Sequence, residues 1–168
     1  MRKWADYMQT ASVEHEAFDF ARQGNIQGLL FYLAQGGDPN LKNHKGHSLL
    51  MLASYNGHVL LVPQLLRHGA DVNSRDNSGS TILMGVAFKG HEEIARLLLA
   101  AGADLEAKNN NQQTATMYAE AFGRENLVRL FAEFSPTGNA RSPKAFRRLK
   151  ALFQLIKSPF KGELQHEH

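Results

Sequence analysis

Apolar and polar positions along this chain fall in blocks, and the blocks return every 33 residues. The clearest runs from position 81 to 108, where Leu83, Leu97 and Leu98 mark apolar faces between the corners Gly79, Gly90-His91 and Gly102-Ala103-Asp104. The same order stands one period earlier as Gly46, Ser48, Leu50, Gly57-His58, Leu65-Leu66 and Gly69-Ala70-Asp71. Gly24, Leu33 and Gly36-Gly37-Asp38 carry it back once more, and Thr114, Gly123, Leu130 and Phe131 carry it forward. A fixed period of this length predicts a stack of small helical units, none of which buries its apolar stripe without its neighbours.

Each unit predicts two short helices, and the units divide as 13–42, 43–75, 76–108 and 109–134. Residues 1–12 form a polar extension with a short helix, whose Trp4 and Tyr7 are expected to cover the open end of the first unit. Ser12 is the expected N-cap of a helix over 13–23, with Glu14, Glu16 and Asp19 near its positive end. After the turn at Gly24-Asn25, Ile26, Leu29, Leu30 and Leu33 keep helical spacing. In the second unit Pro63 falls about a turn inside the second helix, which predicts a kink or a late helix start. In the third, Glu92 and Glu93 precede Arg96 by about one turn, a favourable pairing. The fourth has Gln112 where the turn glycine stood; the asparagines at 109, 110 and 111 are expected to supply the left-handed conformation instead. A breaker-rich linker, 135–143, then leads to residues 144–168, read as a basic amphipathic helix and tail. There Phe146, Leu149, Phe153 and Ile156 share one face, and Arg147, Arg148, Lys150 and Lys157 take the others.

The G-x-T-x-L turns, Gly-His links, Leu-Leu second helices and Gly-Ala-Asp exits resemble the ankyrin repeat family over about residues 13–134. Four motifs in phase make the resemblance specific. It implies an all-α solenoid of about four helix–turn–helix units with β-turn fingertips, here closed by the basic C-terminal helix as a cap. The chain departs from the family's T-P-L-H: it reads Ser48-Leu49-Leu50-Met51, Thr81-Ile82-Leu83-Met84 and Thr114-Ala115-Thr116-Met117. Proline is absent and Met replaces His three times, so the turn bonds that the histidine usually makes must come from other groups.

Charge divides the chain in two. Residues 1–134 hold 12 Lys and Arg against 14 Asp and Glu, whereas residues 135–168 hold 7 against 2, so the overall +3 belongs to the tail. No run of apolar residues approaches the 18 or so that a membrane span needs, and no signal region opens the chain, so a cytoplasmic location is expected. With zero cysteines, thiolate catalysis, disulfides and cysteine metal sites are excluded.

Candidate chemistry reduces to structure on inspection. Met51, Met84 and Met117 recur at the repeat period, about 10 Å apart along a stack, too far to share an ion, and are expected to fill the core. His58 and His91 sit in the structural Gly-His link. His44 and His47 flank Lys45 without a carboxylate or cysteine in the same turn, so no metal site is expected there. His166 and His168 stand at the chain's end. No G-x-S-x-G elbow, phosphate loop or H-E-x-x-H occurs, and neither an enzyme nor a cofactor is expected.

The resemblance implies a protein-binding surface along the concave side, made by fingertip turns and first helices. By repeat phase that surface carries His44, Lys45, His47, Tyr55 and Asn56; Asn77, Ser78, Ser80, Phe88 and Lys89; and Asn110, Asn111, Gln113, Ala121 and Phe122. The three aromatics are either binding anchors or packing between units, since phase alone leaves side-chain direction open. No effector domain accompanies the repeats within these residues. The expected function is therefore a monomeric, non-catalytic binder of one partner protein, masking or inhibiting it as an inhibitor, escort or self-protection factor. The alternative is an anionic-surface binder, of nucleic acid or membrane, acting through the basic C-terminal helix.

Overall fold

The structure, a computed structural model, describes residues 4–135, with side chains from residue 14 onward. The expected cap at 144–157, and the side chains of Trp4 and Tyr7, lie outside the described residues. Eight helices occur among the described residues: α1 (Trp4–Gln23), α2 (Ile26–Ala34), α3 (Leu49–Tyr55), α4 (Leu61–Arg67), α5 (Ile82–Lys89), α6 (Glu92–Ala100), α7 (Ala115–Ala121) and α8 (Glu125–Phe134). They pair as α1 with α2, α3 with α4, α5 with α6 and α7 with α8. The first helices make one row, in which α1, α3, α5 and α7 pack in sequence, and α4, α6 and α8 follow one another in a second row. The core runs between the rows through Leu29, Leu49, Leu50, Leu61, Leu65, Ile82, Leu83, Ile94, Leu98, Leu127 and Phe131, all essentially inaccessible.

Short helices of seven or eight residues do not hold themselves together, so their ends are fixed by side chains. Ser48, Thr81 and Thr114 each cap a first helix, their oxygens accepting from the N–H of Met51, Met84 and Met117 at 3.2, 3.3 and 3.3 Å. In α5 the Met84 sulfur accepts in return from the Thr81 N–H at 3.3 Å, taking the part a glutamate plays in a capping box. The fingertips are bracketed by Asn43, Asp76 and Asn109. One side-chain oxygen of each accepts two backbone N–H groups, from Lys45 and His47, from Ser78 and Ser80, and from Asn111 and Gln113. The turns are thus held by side chains of their own first residues, and in α5 the methionine at the histidine's position adds its sulfur bond. An isolated antiparallel bridge closes the fingertip at Lys42–Ser48 and again at Arg75–Thr81.

The joints between units also repeat. His58 Nε2–H donates to the Arg22 carbonyl at 2.6 Å and His91 Nε2–H to that of Tyr55 at 3.1 Å. Arg124, at the same phase, donates through Nε and Nη2 to the Phe88 carbonyl at 3.3 and 3.2 Å. Asn40 donates to the Gly69 carbonyl and accepts from the Asp71 N–H, and Asn73 repeats both bonds with Gly102 and Asp104.

Four local expectations need revision or detail. α1 is continuous from Trp4, so Ser12 lies inside it and is not its N-cap; no glycine or proline interrupts residues 4–12. Helix α4 takes the late start: α6 and α8 begin at the phase of Val59, whereas α4 begins at Leu61. Pro63 then occupies the first turn, where its missing N–H has no helical partner to lose. Met51 and Met84 are buried, but Met117 is 51% exposed. It sits on α7, the last first helix among the described residues, with no following helix of that row to pack on.

At the fourth fingertip it is Gln112 itself, not a neighbouring asparagine, that takes the left-handed conformation, with φ 62°. Its phase partners Gly46 and Gly79 have φ 78° and 75°. A side chain there strains the backbone, so Gln112→Gly is expected to stabilise the protein by about 1 kcal/mol. The measurement is the urea midpoint at unchanged slope. An unmoved or lower midpoint would show that Gln112 is accommodated without strain.

Candidate binding face

The last turns of α3 and α5 and the residue just beyond α7 present Tyr55, Phe88 and Phe122 on one side of the stack. The Tyr55 and Phe88 rings are stacked at 6.2 Å and 6°, and Phe122 meets Phe88 edge-on at 4.6 Å and 79°. Tyr118 lies parallel to Phe122 at 6.4 Å. The rings therefore pack from unit to unit and still face outward: Tyr55 is 39% and Phe122 47% exposed, with Phe88 half-buried between them. The Lys89 ammonium sits 5.1 Å from the centre of the Tyr55 ring, within cation–π range. Exposed aromatic area of this kind is energetically useful only when something covers it.

The fingertip residues sort into two groups. Asn77, Ser78 and Asn110 join neighbouring units. The Asn77 N–H donates to the Lys45 carbonyl, its amide Nδ2 to that of His44, and the Asn110 N–H to that of Ser78. Ser78 Oγ also donates to Asp76 Oδ1 at 2.7 Å and lies 2.8 Å from Ser80 Oγ. Gln113 Oε1 accepts from Asn109 Nδ2 at 3.2 Å and from the Tyr118 hydroxyl at 3.3 Å, so it props the fourth fingertip against α7. The side chains of His44, Lys45, Asn56 and Asn111 are exposed, as is Ala121.

Between the fingertips and the aromatic rings lies a cavity of about 420 Å³. Arg22, His47, Met51, Leu52, Tyr55, Asn56, Asp76, Ser80, Thr81 and Gly85 line it, drawn from α1, α3, α5 and two fingertips. His47 Nε2 is 4.0 Å from Asp76 Oδ2 across one end. Of this lining, His47, Tyr55, Asn56 and Ser80 are positions that repeat phase had marked. Arg22, Met51, Leu52, Asp76, Thr81 and Gly85 were not, because each belongs to a position that the period assigns to helix or turn structure. The available signal was the break in period itself: Asp76 stands where the other units have Asn43 and Asn109, and Gly85 where they have Leu52 and Tyr118.

No helix among the described residues is long and apolar enough to cross a membrane. A family profile described as ankyrin repeats in three copies matches residues 17–109 and, in a second alignment, 61–142. A curated ankyrin repeat protein of Pseudomonas aeruginosa is 63% identical over 51 residues, which cover 30% of this chain and 30% of that protein. The chain thus matches about a third of the length of that relative.

Proposed function

Because the chain belongs to the ankyrin repeat family, whose stacks are protein–protein interaction modules, we propose that it binds one partner protein through the face carrying Tyr55, Phe88 and Phe122 and acts by masking the surface it covers. Inhibition, escort or self-protection are the forms such masking takes. The observation that carries this reading is the ladder of three rings in contact, half-buried at its centre and open at both ends. The rim expected from repeat phase is polar and adaptable: His44, Lys45, Asn56, Lys89 and Asn111 are exposed and carry donors and acceptors. Aromatic anchors within such a rim match the anatomy of recognition surfaces, where a few buried rings supply most of the affinity.

Affinity capture from the native lysate, with mass spectrometry, identifies the partner. Truncating Tyr55 and Phe88 to Ala together should then weaken binding by about 2 kcal/mol, roughly thirtyfold. Circular dichroism melts of the double variant accompany the titration, since both rings also join units. Unchanged folding with unchanged affinity removes this face as the binding site. A binding constant that instead falls by about three orders of magnitude on modest salt addition assigns binding to the basic segment at 144–157.

A further inference from the structure

Two breaks in the 33-residue period meet in the cavity beside Tyr55, and neither is required by the fold. Gly85 lies in the interior of α5, where glycine is a poor helix former, at the phase of Leu52 and Tyr118. A Cβ built there would meet only Tyr55 Cδ2, at 3.4 Å, an ordinary contact. The missing side chain therefore answers no packing demand and leaves open the cavity that Met51, Leu52 and Tyr55 surround. Asp76 is the second break. Its Oδ1 brackets the fingertip, accepting from the N–H groups of Ser78 and Ser80 at 2.8 and 2.9 Å. Asn43 and Asn109 do the same with a neutral amide, so the turn does not need the charge.

The remaining oxygen, Asp76 Oδ2, meets the His47 ring at 4.0 Å at the cavity's edge, and the Asp76 side chain keeps 17% of its surface accessible. The other charged group of the lining, Arg22, is already held by Asp19 at 2.7 Å. The cavity thus offers an apolar hole with one underused carboxylate at its rim.

We propose that this cavity is the anchor site of the binding face, taking a large apolar side chain of a protein segment that carries a lysine or arginine close by, with the cation paired to Asp76 Oδ2. The apolar wall made by Met51, Leu52 and Tyr55 fits Leu, Met or Phe, and the carboxylate selects for a neighbouring cation over a neighbouring acid. The assignment rests on the binding-face reading above and narrows it to one seat and one chemistry.

The test is selection of a phage-displayed random dodecapeptide library on the full chain, followed by anisotropy titration of a labelled selected peptide. Selected sequences should pair a large apolar residue with Lys or Arg within about one helical turn. Gly85→Leu, which fills the hole, should weaken the peptide at least about tenfold while melting no lower than the parent. Asp76→Asn, which keeps the turn, should weaken it about threefold or more, and this loss should vanish for a peptide with norleucine in place of its basic residue. Should Gly85→Leu unfold, Gly85→Ala verifies the helix and the Asp76→Asn cycle decides alone. Selection of nothing, of peptides lacking the pairing, or of peptides indifferent to both substitutions overturns the anchor assignment. Phe122→Ala separates the two levels: it lies outside the cavity, so weakening there with indifference at Gly85 and Asp76 leaves the face and removes the seat. Indifference at all three removes both.

Discussion

Leu98→Ala is expected to destabilise the protein by about 2–5 kcal/mol. Leu98 is fully buried in α6, which packs on second helices to both sides, α4 and α8. Truncation removes three carbons from a site walled by other short helices whose units are joined by side-chain-to-backbone bonds, so collapse into the void is limited. Because units touch only their neighbours, the loss also weakens the coupling between the first and last pairs of units. Urea unfolding followed by circular dichroism should show both a lower midpoint and a broader transition. A change within about 0.5 kcal/mol of wild type would mean that the second helices face differently than described.

Gly46→Ala is expected to cost about 3 kcal/mol, unusually much for adding one methyl at a turn. Two separate effects add. The φ of 78° places any side chain in the left-handed region, worth 1 kcal/mol or somewhat more for alanine. The new Cβ would also lie 2.5 Å from Asn77 Oδ1 and 2.8 Å from the Asn77 backbone nitrogen, and backbone cannot move aside as a flexible side chain does. Gly69 separates the two effects, since its φ is 88° but nothing lies within 4 Å of its Cβ position. Gly69→Ala should therefore cost about 1 kcal/mol, the strain alone. Equal losses at the two positions would show that the fingertips do not approach each other as closely as Gly46 and Asn77 indicate.

The period made the helices legible because a 33-residue repeat averages over local ambiguity: a weak helix signal at one position was supported by its equivalents. Where a unit departs from its neighbours, that support failed. The late start of α4 was foreseeable from Pro63, because proline's constraint is local and rigid. The conformation of Gln112 was not, since asparagine is the better left-handed residue and three of them stand beside it. Phase outweighed propensity there, with Asn109 engaged by its side chain in bracketing the turn. The continuous α1 was missed for the opposite reason: residues 4–12 lie outside the period, and Ser12 looked like a boundary that nothing enforces. For the face, phase correctly brought Tyr55, Phe88 and Phe122 to one side but could not choose between packing and exposure, and the rings do both. The cavity needed the stack itself, because Gly85 and Asp76 come from different elements and matter only where they meet Tyr55 and Met51.

The joints described above reach one unit along and no further, and this governs how the chain tolerates changes in its own length. Excising residues 76–108 would join Arg75 to Asn109 in the register that Arg75 and Asp76 now hold. Arg124 would then find the Tyr55 carbonyl that His91 now uses, and Asn40 would keep its bonds to Gly69 and Asp71. Duplicating the same segment would add a unit whose His91 finds the Phe88 carbonyl that Arg124 now uses, although Glu106, at the phase of Asn40 and Asn73, could not repeat their amide donation. Such a chain can be shortened or extended in steps of one period by copying errors in its gene without rebuilding a core. A deletion that is not a whole number of periods would leave one unit incomplete and break the joints on either side of it. The excision carries losses as well: Asn73 gives up its bonds to Gly102 and Asp104, and Asp76 and Gly85 leave together, so the chain that folds without them no longer has the cavity.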